Sequence, residues 1–330
     1  MKPVQRILFV RTDRMGDLLM NLPALRLLRQ TFPKAWITLL LDRPLAGLLT
    51  DHPDIDELMY VDAKTLHNFL GTWKLSRKIR RAGFDLVVIS NPDKFLHLAV
   101  FLAGIPQRVG YGRKWGFLLT RRIKDAKAAG ARHEMDANLE LASLVSDRVW
   151  DGSLTLPVDP RAAARVENLL VPVRAGAIIA VHPGTSHPEK RWPLERFSEL
   201  CDLFQEKKTA SVVLVGGPEE AVHAKEVVRK ARLPLVDWTG GLTLAELVAF
   251  LKNPRVRLLV SSDSGPVHVA WVGGTPVVAL YAQNLAGSDP ARWGPRNGLS
   301  EVIYKPMPQI TVAEVYEKAC RVLGKEKSRV

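Results

Sequence analysis

One stretch constrains this chain more than any other: SSDSGPVHVAWVGGTPVVALY, from Ser261 to Tyr281. The apolar run Leu258 to Val260 leads into it, short and sharply bounded as a buried strand is. A polar corner follows, Asp263-Ser264-Gly265, with Pro266 where a first helical position falls. Ser or Asp before Pro is a helix-start signal, because the side chain caps free N–H groups and Pro has none to lose. Gly273 and Gly274 stop that helix, and Thr275-Pro276 open a second apolar run, Val277 to Leu280. Strand, short helix and strand in so few residues make a unit of parallel sheet. The helix N-terminus then faces outward from the strand's carboxyl end, where α/β sheets bind phosphates. An ordinary crossover with a capped helix would read the same way, so this corner alone decides nothing.

The same rhythm runs through the chain. Ile7–Val10 reads as a strand, and the loop Arg11–Gly16 leads to a helix with apolar residues at Leu18, Leu22, Leu25 and Leu28. Asp17 stands at the start of that helix, a place the helix dipole favours for an acid. The loop carries one Gly instead of G-x-G-x-x-G, which disfavours a nicotinamide cofactor. Strands at Ile37–Leu41 and Leu86–Ser90 alternate with helices around Leu66–Arg81 and Phe95–Ala103, and Glu134–Val149 reads as another helix. From Trp150 to Ala175 the chain is rich in Pro, Asp and Ala, and the domain junction is placed at 155–175. The rhythm restarts with strand Ile178–Val181, helix Leu194–Lys207, strand Val212–Val215, a helix after GGPEE ending at Ala231, and helix Leu244–Leu251. This predicts two Rossmann-like α/β domains, 1–160 and 176–330, with parallel sheets facing a cleft.

Length fits that division, since 330 residues allow two domains each burying its own core. No apolar run approaches the roughly 18 residues that span a bilayer, and the start MKPVQRILFV reads as a first strand instead of a signal peptide. Cys201 and Cys320 are expected to be buried, reduced thiols. A net charge of +13 points to an anionic partner: nucleic acid, a membrane surface or a phosphorylated substrate. Much of it gathers between Gln107 and Arg132, where Arg108, Arg113, Lys114, Arg121, Arg122, Lys124, Lys127 and Arg132 face only Asp125, with Tyr111, Trp115 and Phe117 interleaved. That run reads as a solvated surface, as a single-strand nucleic-acid site, or as a loop meeting an acidic glycolipid and the leaflet beneath it.

Three polar corners of the second half fall at carboxyl ends of strands: Gly184-Thr185-Ser186 with Lys190, Gly216-Gly217-Pro218-Glu219, and Asp263-Ser264-Gly265 with His268. In a parallel sheet these ends share one edge, so the corners converge. Hydroxyls, amides and a Lys suit a diphosphate, and acids suit sugar hydroxyls. A metal site is not expected: Asp54-Ile55-Asp56 sits in DHPDIDEL, which reads as a surface turn, and His182 and His187 lack partners at zinc spacing.

RTDRMGDLLMNLPALRLLRQTFP, HPGTSHPEKRWP and DSGPVHVAWVGGTPVVALY together resemble the family-9 glycosyltransferases, whose best-known members are the ADP-heptose:lipopolysaccharide heptosyltransferases. The resemblance spans most of the chain and implies the GT-B fold, with acceptor held by the N-terminal half and nucleotide-sugar donor by the C-terminal half. It implies inverting, metal-independent transfer of heptose from ADP-heptose to an anionic glycolipid of the lipopolysaccharide inner core, with no cofactor. It places the enzyme in the cytoplasm, peripheral to the inner membrane. Asp17 matches the motif's aspartate base, with Asp13 the nearby rival, and Asp263 matches a donor-sugar ligand. The developing charge on a nucleoside diphosphate needs fixed positive partners, and Lys190 with the amides of Ser264 and Gly265 supplies them. Thr185, Ser186 and His268 add hydrogen bonds, while Glu219 or Glu220 would hold nucleotide hydroxyls. Arg121, Arg122 and Lys124 would meet the acceptor. Two alternatives stand: a family-9 transferase for another sugar or acceptor, and a nucleic-acid-binding protein using the basic surface, although no nucleic-acid module is present.

Overall fold

The computed structural model describes residues 3–62, 66–125, 132–207, 210–283, 285 and 287–327, with side chains to residue 324. The chain divides into two compact units, Met1–Pro157 and Val158–Val330.

The first unit runs β1 (Arg6–Val10), α1 (Met15–Leu19), α2 (Leu22–Thr31), β2 (Trp36–Asp42), β3 (Glu57–Val61), α3 (Phe69–Ala82), β4 (Leu86–Ile89), α4 (Lys94–Leu102), β5 (Gln107–Tyr111), β6 (Arg121–Ile123) and α5 (Glu134–Ser143). Its six strands lie in the order β3-β2-β1-β4-β5-β6, and every pair is parallel. Strands covered by helices on both faces must be apolar throughout, and Ile7–Val10 and Leu86–Ile89 are fully buried. Side chains choose the helix limits. Asn68 caps α3 by accepting from the Gly71 N–H at 2.7 Å, and Gly83 ends it in the left-handed region at φ +68°. Asp93 caps α4 through the N–H groups of Phe95 and Leu96.

Several expectations need correction here. The first helix is two, because the chain turns at Met20-Asn21 and restarts with Pro23 in the first turn of α2. The helix expected to reach Val149 stops at Ser143. Ser146 instead accepts from the Arg148 N–H at 3.0 Å and meets the Thr31 hydroxyl at 2.6 Å. The basic run is not one loop: β5 and the edge strand β6 are built from it, with a loop between them, and Lys127 lies outside the described residues. The turn before β3 exists, yet Asp54 is buried beneath Arg26 at 3.2 Å, and Asp56 pairs with Arg29 at 2.5 Å.

The second unit runs α6 (Pro160–Leu170), β7 (Ile178–His182), α7 (Leu194–Glu206), β8 (Ser211–Leu214), α8 (Ala221–Lys230), β9 (Val236–Asp237), α9 (Leu244–Leu251), β10 (Val256–Ser262), α10 (Gly265–Val272), β11 (Val277–Ala282), α11 (Pro290–Trp293), β12 (Glu301–Lys305) and α12 (Val312–Lys327). The strand order β12-β11-β10-β7-β8-β9 repeats the plan of the first sheet, again wholly parallel. Helix α6 packs in this unit: Arg165 pairs with Glu246 at 2.6 Å, and Asn253 donates to Glu167 at 2.7 Å. Cys201 is buried in the core, but Cys320 is exposed. The inward stripe of α12 is Val315, Ala319 and Val322, and residue 320 falls on its other face.

Strand order reverses between β1 and β4 in one sheet and between β7 and β10 in the other. At such a reversal the flanking loops diverge and open a crevice at the carboxyl edge, where α/β sheets take their ligands.

Candidate active site

In the first unit the reversal is filled by Arg11, the first residue past β1, whose N–H still pairs with the Leu40 carbonyl at 3.0 Å. Its side chain is buried and donates through Nη1 to the Ser90 carbonyl at 2.9 Å, across the reversal beside β4. Nε donates to Asp13 Oδ1 at 2.5 Å, Nη2 donates to Asp17 Oδ1, and buried Glu134 lies 3.9 Å away. Burial alone would lower the Arg11 pKa, but Asp13, Asp17 and Glu134 together raise it above the usual value. Burial drives the Asp13 carboxyl above the ordinary range, with Arg11 opposing and Asp17 adding to the rise. Asp17 stands in the first turn of α1, yet the capping position is Arg14 and no side chain caps there. Its carboxylate is turned to Arg11, so a role as helix cap does not account for it. Asn21 donates to the Asp17 carbonyl at 2.7 Å, and Asn138 of α5 donates to the Met20 carbonyl at 3.2 Å, which hold α1 in place.

Arg11 escaped the sequence reading. Its signal was a charged residue directly after an all-apolar strand, with acids two and six positions on. Arg121 and Arg122 stand on β6, donating to the carbonyls of Leu144 at 2.7 Å and Gly116 at 3.3 Å, and Lys124 is exposed just beyond.

In the second unit His182 ends β7 and pairs in register with Ser261 of β10. Its buried ring joins two of the polar corners. Nδ1 meets the hydroxyls of Ser261 at 2.9 Å and Ser264 at 3.2 Å, and Nε2 meets Glu220 Oε2 at 2.8 Å. Glu220 also accepts from the Gly217 N–H at 2.8 Å. Burial pushes the Glu220 carboxyl up, but the bonds and charge from His182 and Gly217 outweigh it and hold the group below its usual value. Gly184 and Gly216 leave the room that this placement of Glu220 takes up. A Cβ at 184 would overlap the Glu220 carboxylate, and one at 216 would lie 2.9 Å from Oε2. Glu220 is thus the acid turned into the corner, and Glu219 is exposed.

Lys190 ends a 3-10 turn, Pro188–Lys190, and the Nζ of its partly exposed side chain donates to Oδ2 of buried Asp263 at 2.6 Å. The third corner is therefore tied to the first. Ser264 holds the capping position of α10 but makes no capping bond, because its hydroxyl is engaged with His182 and Ser261. That corrects the expected cap, and it leaves the first amides of α10 without a side-chain acceptor from Ser264. Thr185 is buried with its hydroxyl unpartnered, and Ser186 is exposed. His268 is buried on α10, near the Trp271 Nε1–H at 3.4 Å and edge-on to Trp293. The corner so built joins amides, hydroxyls, one ammonium and two carboxylates on one sheet edge. That donor set can hold a diphosphate and its ribose.

Solved structures share this fold over nearly the whole chain. A glycosyl transferase of family 9 from Veillonella parvula matches with a TM-score of 0.87 and 25% identity, over 97% of this chain and 98% of its own. Escherichia coli heptosyltransferase WaaC, solved with ADP, matches with a TM-score of 0.73 and 21% identity, over 96% and 100%. Among sequence relatives, the lipopolysaccharide core heptosyltransferase OpsX of Haemophilus influenzae is 25% identical, over 89% of this chain and 82% of its own. The protein is a glycosyltransferase with the GT-B fold. More narrowly, the model of glycosyltransferase family 9 (heptosyltransferase) matches residues 72–319, and the chain belongs to that family.

Proposed function

We propose that this enzyme moves heptose from ADP-heptose onto a sugar of the lipopolysaccharide inner core, inverting the anomeric centre without a metal. Support comes from relatives named as lipopolysaccharide heptosyltransferases and from the WaaC structure that holds ADP. The observation that carries the donor half is the corner of His182, Glu220, Lys190, Asp263 and Ser264 at the reversal of the second sheet. The helix amides and Lys190 receive the diphosphate, Glu220 takes ribose hydroxyls, and Asp263 takes the sugar, with Thr185, Ser186 and His268 completing the shell.

The acceptor belongs to the first unit. Its hydroxyl oxygen attacks the anomeric carbon and forms the new C–O bond from the side opposite the leaving group. The bond to the diphosphate oxygen breaks, and its electron pair leaves with ADP. The acceptor proton passes to Asp17, whose Oδ1 is held by Arg11, so that Oδ2 is the oxygen that takes it. Arg121, Arg122 and Lys124 meet the acceptor's anionic groups, and the enzyme works as a peripheral protein at the cytoplasmic face of the inner membrane. Among the described residues no helix is long and apolar enough to cross a membrane.

Asp17→Asn is the test. It keeps size and polarity but cannot take a proton, so turnover should fall by about 10²–10⁴-fold. ADP binding should be unchanged, and Asp13→Asn should retain substantially more activity. Near wild-type turnover in Asp17→Asn would reassign the base, first to Asp13.

A further inference from the structure

Helix α3 presents an unusual outer face. Phe69 is 70% exposed, Leu70 67% and Trp73 43%, all within its first turn and a half. Behind them the same helix carries Lys74, Arg77, Lys78, Arg80 and Arg81 and no acid. Its inner face is Thr72, Leu75, Ser76 and Ile79, so the apolar tip is surplus to the core. A helix following a parallel strand starts at the sheet's carboxyl edge, which places that tip on the edge that also bears Arg11 and Asp17.

Two contacts extend the patch along this edge. The His67 ring meets the Phe95 ring edge-on at 5.4 Å, which sets the starts of α3 and α4 side by side. Nδ1–H of His97, in α4, donates to the Lys114 carbonyl at 2.8 Å and brings the β5–β6 loop to the same end. That loop exposes Trp115 and Phe117, and residues 112–124 contain five cations and no acid. Lys114 and Trp115 hold left-handed backbone at φ +48° and +66°, so the loop keeps an uncommon conformation that presents two aromatic rings to solvent.

Bulky apolar side chains beside cations suit an anionic bilayer: the side chains enter the interface and the cations meet the headgroups, and aliphatic Leu70 at the tip favours lipid over the aromatic stacking that nucleic acid takes. A merely solvated basic face does not need the apolar tip, although one of these cations, Arg113, is already paired with Asp125 at 2.5 Å. We infer that the α3 tip and the Trp115–Phe117 loop dock the first unit on anionic phospholipid, with the Asp17 edge toward the bilayer. This rests on the reading of the enzyme as a peripheral transferase acting on a lipid-anchored acceptor, and it names the surface that reading needs.

The test uses the full chain and vesicles of phosphatidylglycerol mixed with phosphatidylcholine, against phosphatidylcholine alone. The protein should sediment with the anionic vesicles only, and less as salt rises, since screening shortens to a Debye length of about 10 Å at 0.1 M. Phe69→Ser/Leu70→Ser/Trp73→Ser should weaken that binding by about tenfold or more, and Trp115→Ser/Phe117→Ser should weaken it independently. All five side chains are exposed, so melting should stay at the wild-type temperature, as should ADP binding. Equal sedimentation of wild type and the triple variant, or of wild type with neutral vesicles, overturns the proposal. Stabilisation by ADP is scored separately: its absence would sink the donor assignment and leave the vesicle result standing.

Discussion

The Lys190–Asp263 pair separates stability from donor binding. Nζ and Oδ2 lie 2.6 Å apart, with Asp263 buried and Lys190 only slightly exposed. Lys190→Ala strands a buried carboxylate, which costs about 3–5 kcal/mol when one partner of such a pair is removed. At about 2–4 °C per kcal/mol for a domain of this size, the transition of the second unit should fall by roughly 6–20 °C in calorimetry. Lys190→Met/Asp263→Asn removes both charges while keeping the volume, and most of that loss should return, because no bare ion is left behind. Donor binding should not return. ADP lacks the heptose that Asp263 would hold, so its affinity isolates the ammonium–phosphate contact. Losing a hydrogen bond to a charged group, about 1.5–3 kcal/mol, weakens ADP by roughly 10- to 150-fold in titration calorimetry. A Lys190→Ala protein that melts like wild type would refute the buried-pair argument. A double variant as unstable as the single one would show that packing, not an unpaired charge, was lost. A double variant that binds ADP normally would remove Lys190 from the donor site.

Three other outcomes test the same corner. Gly184→Ala places a methyl where the Glu220 carboxylate lies; the flexible acid should swing off His182 and weaken ADP while the fold survives, and unchanged ADP affinity would detach Glu220 from the donor. Glu220 is held below its usual pKa when folded, so its stabilising effect is complete above the unfolded value of about 4.3 and fades as pH falls through the lower folded value. Melts of wild type and Glu220→Gln should therefore stand fully apart above about pH 4.3 and converge as pH falls through the lower folded value; a gap that does not narrow on acidification would contradict the role given to the Glu220 carboxylate. Transfer should persist in excess EDTA if, as proposed, Lys190 and the α10 amides carry the leaving-group charge; magnesium-restorable loss would end the metal-independent mechanism.

Local chemistry already wrote much of this protein into its sequence. Short, sharply bounded apolar runs such as Ile7–Val10 and Val277–Leu280 read as strands buried on both faces, and their alternation with helical spacing points to a parallel sheet as the way to bury them. Gly and Pro mark the corners, because φ and the missing N–H are properties of single residues. Corner partners were not legible, since they depend on which strands become neighbours. His182 and Ser261 are far apart in the chain and meet only because β7 lies beside β10. The same adjacency turns Glu220 inward instead of Glu219, and turns Ser264 from a helix cap into a partner of His182. Arg11 looked like one more loop cation until β1 and β4 were set side by side, with Ser90, Asp13 and Asp17 around it. Backbone preference acts over a few residues and can be read along the chain; burial and charge pairing act through space, and only the tertiary fold decides them.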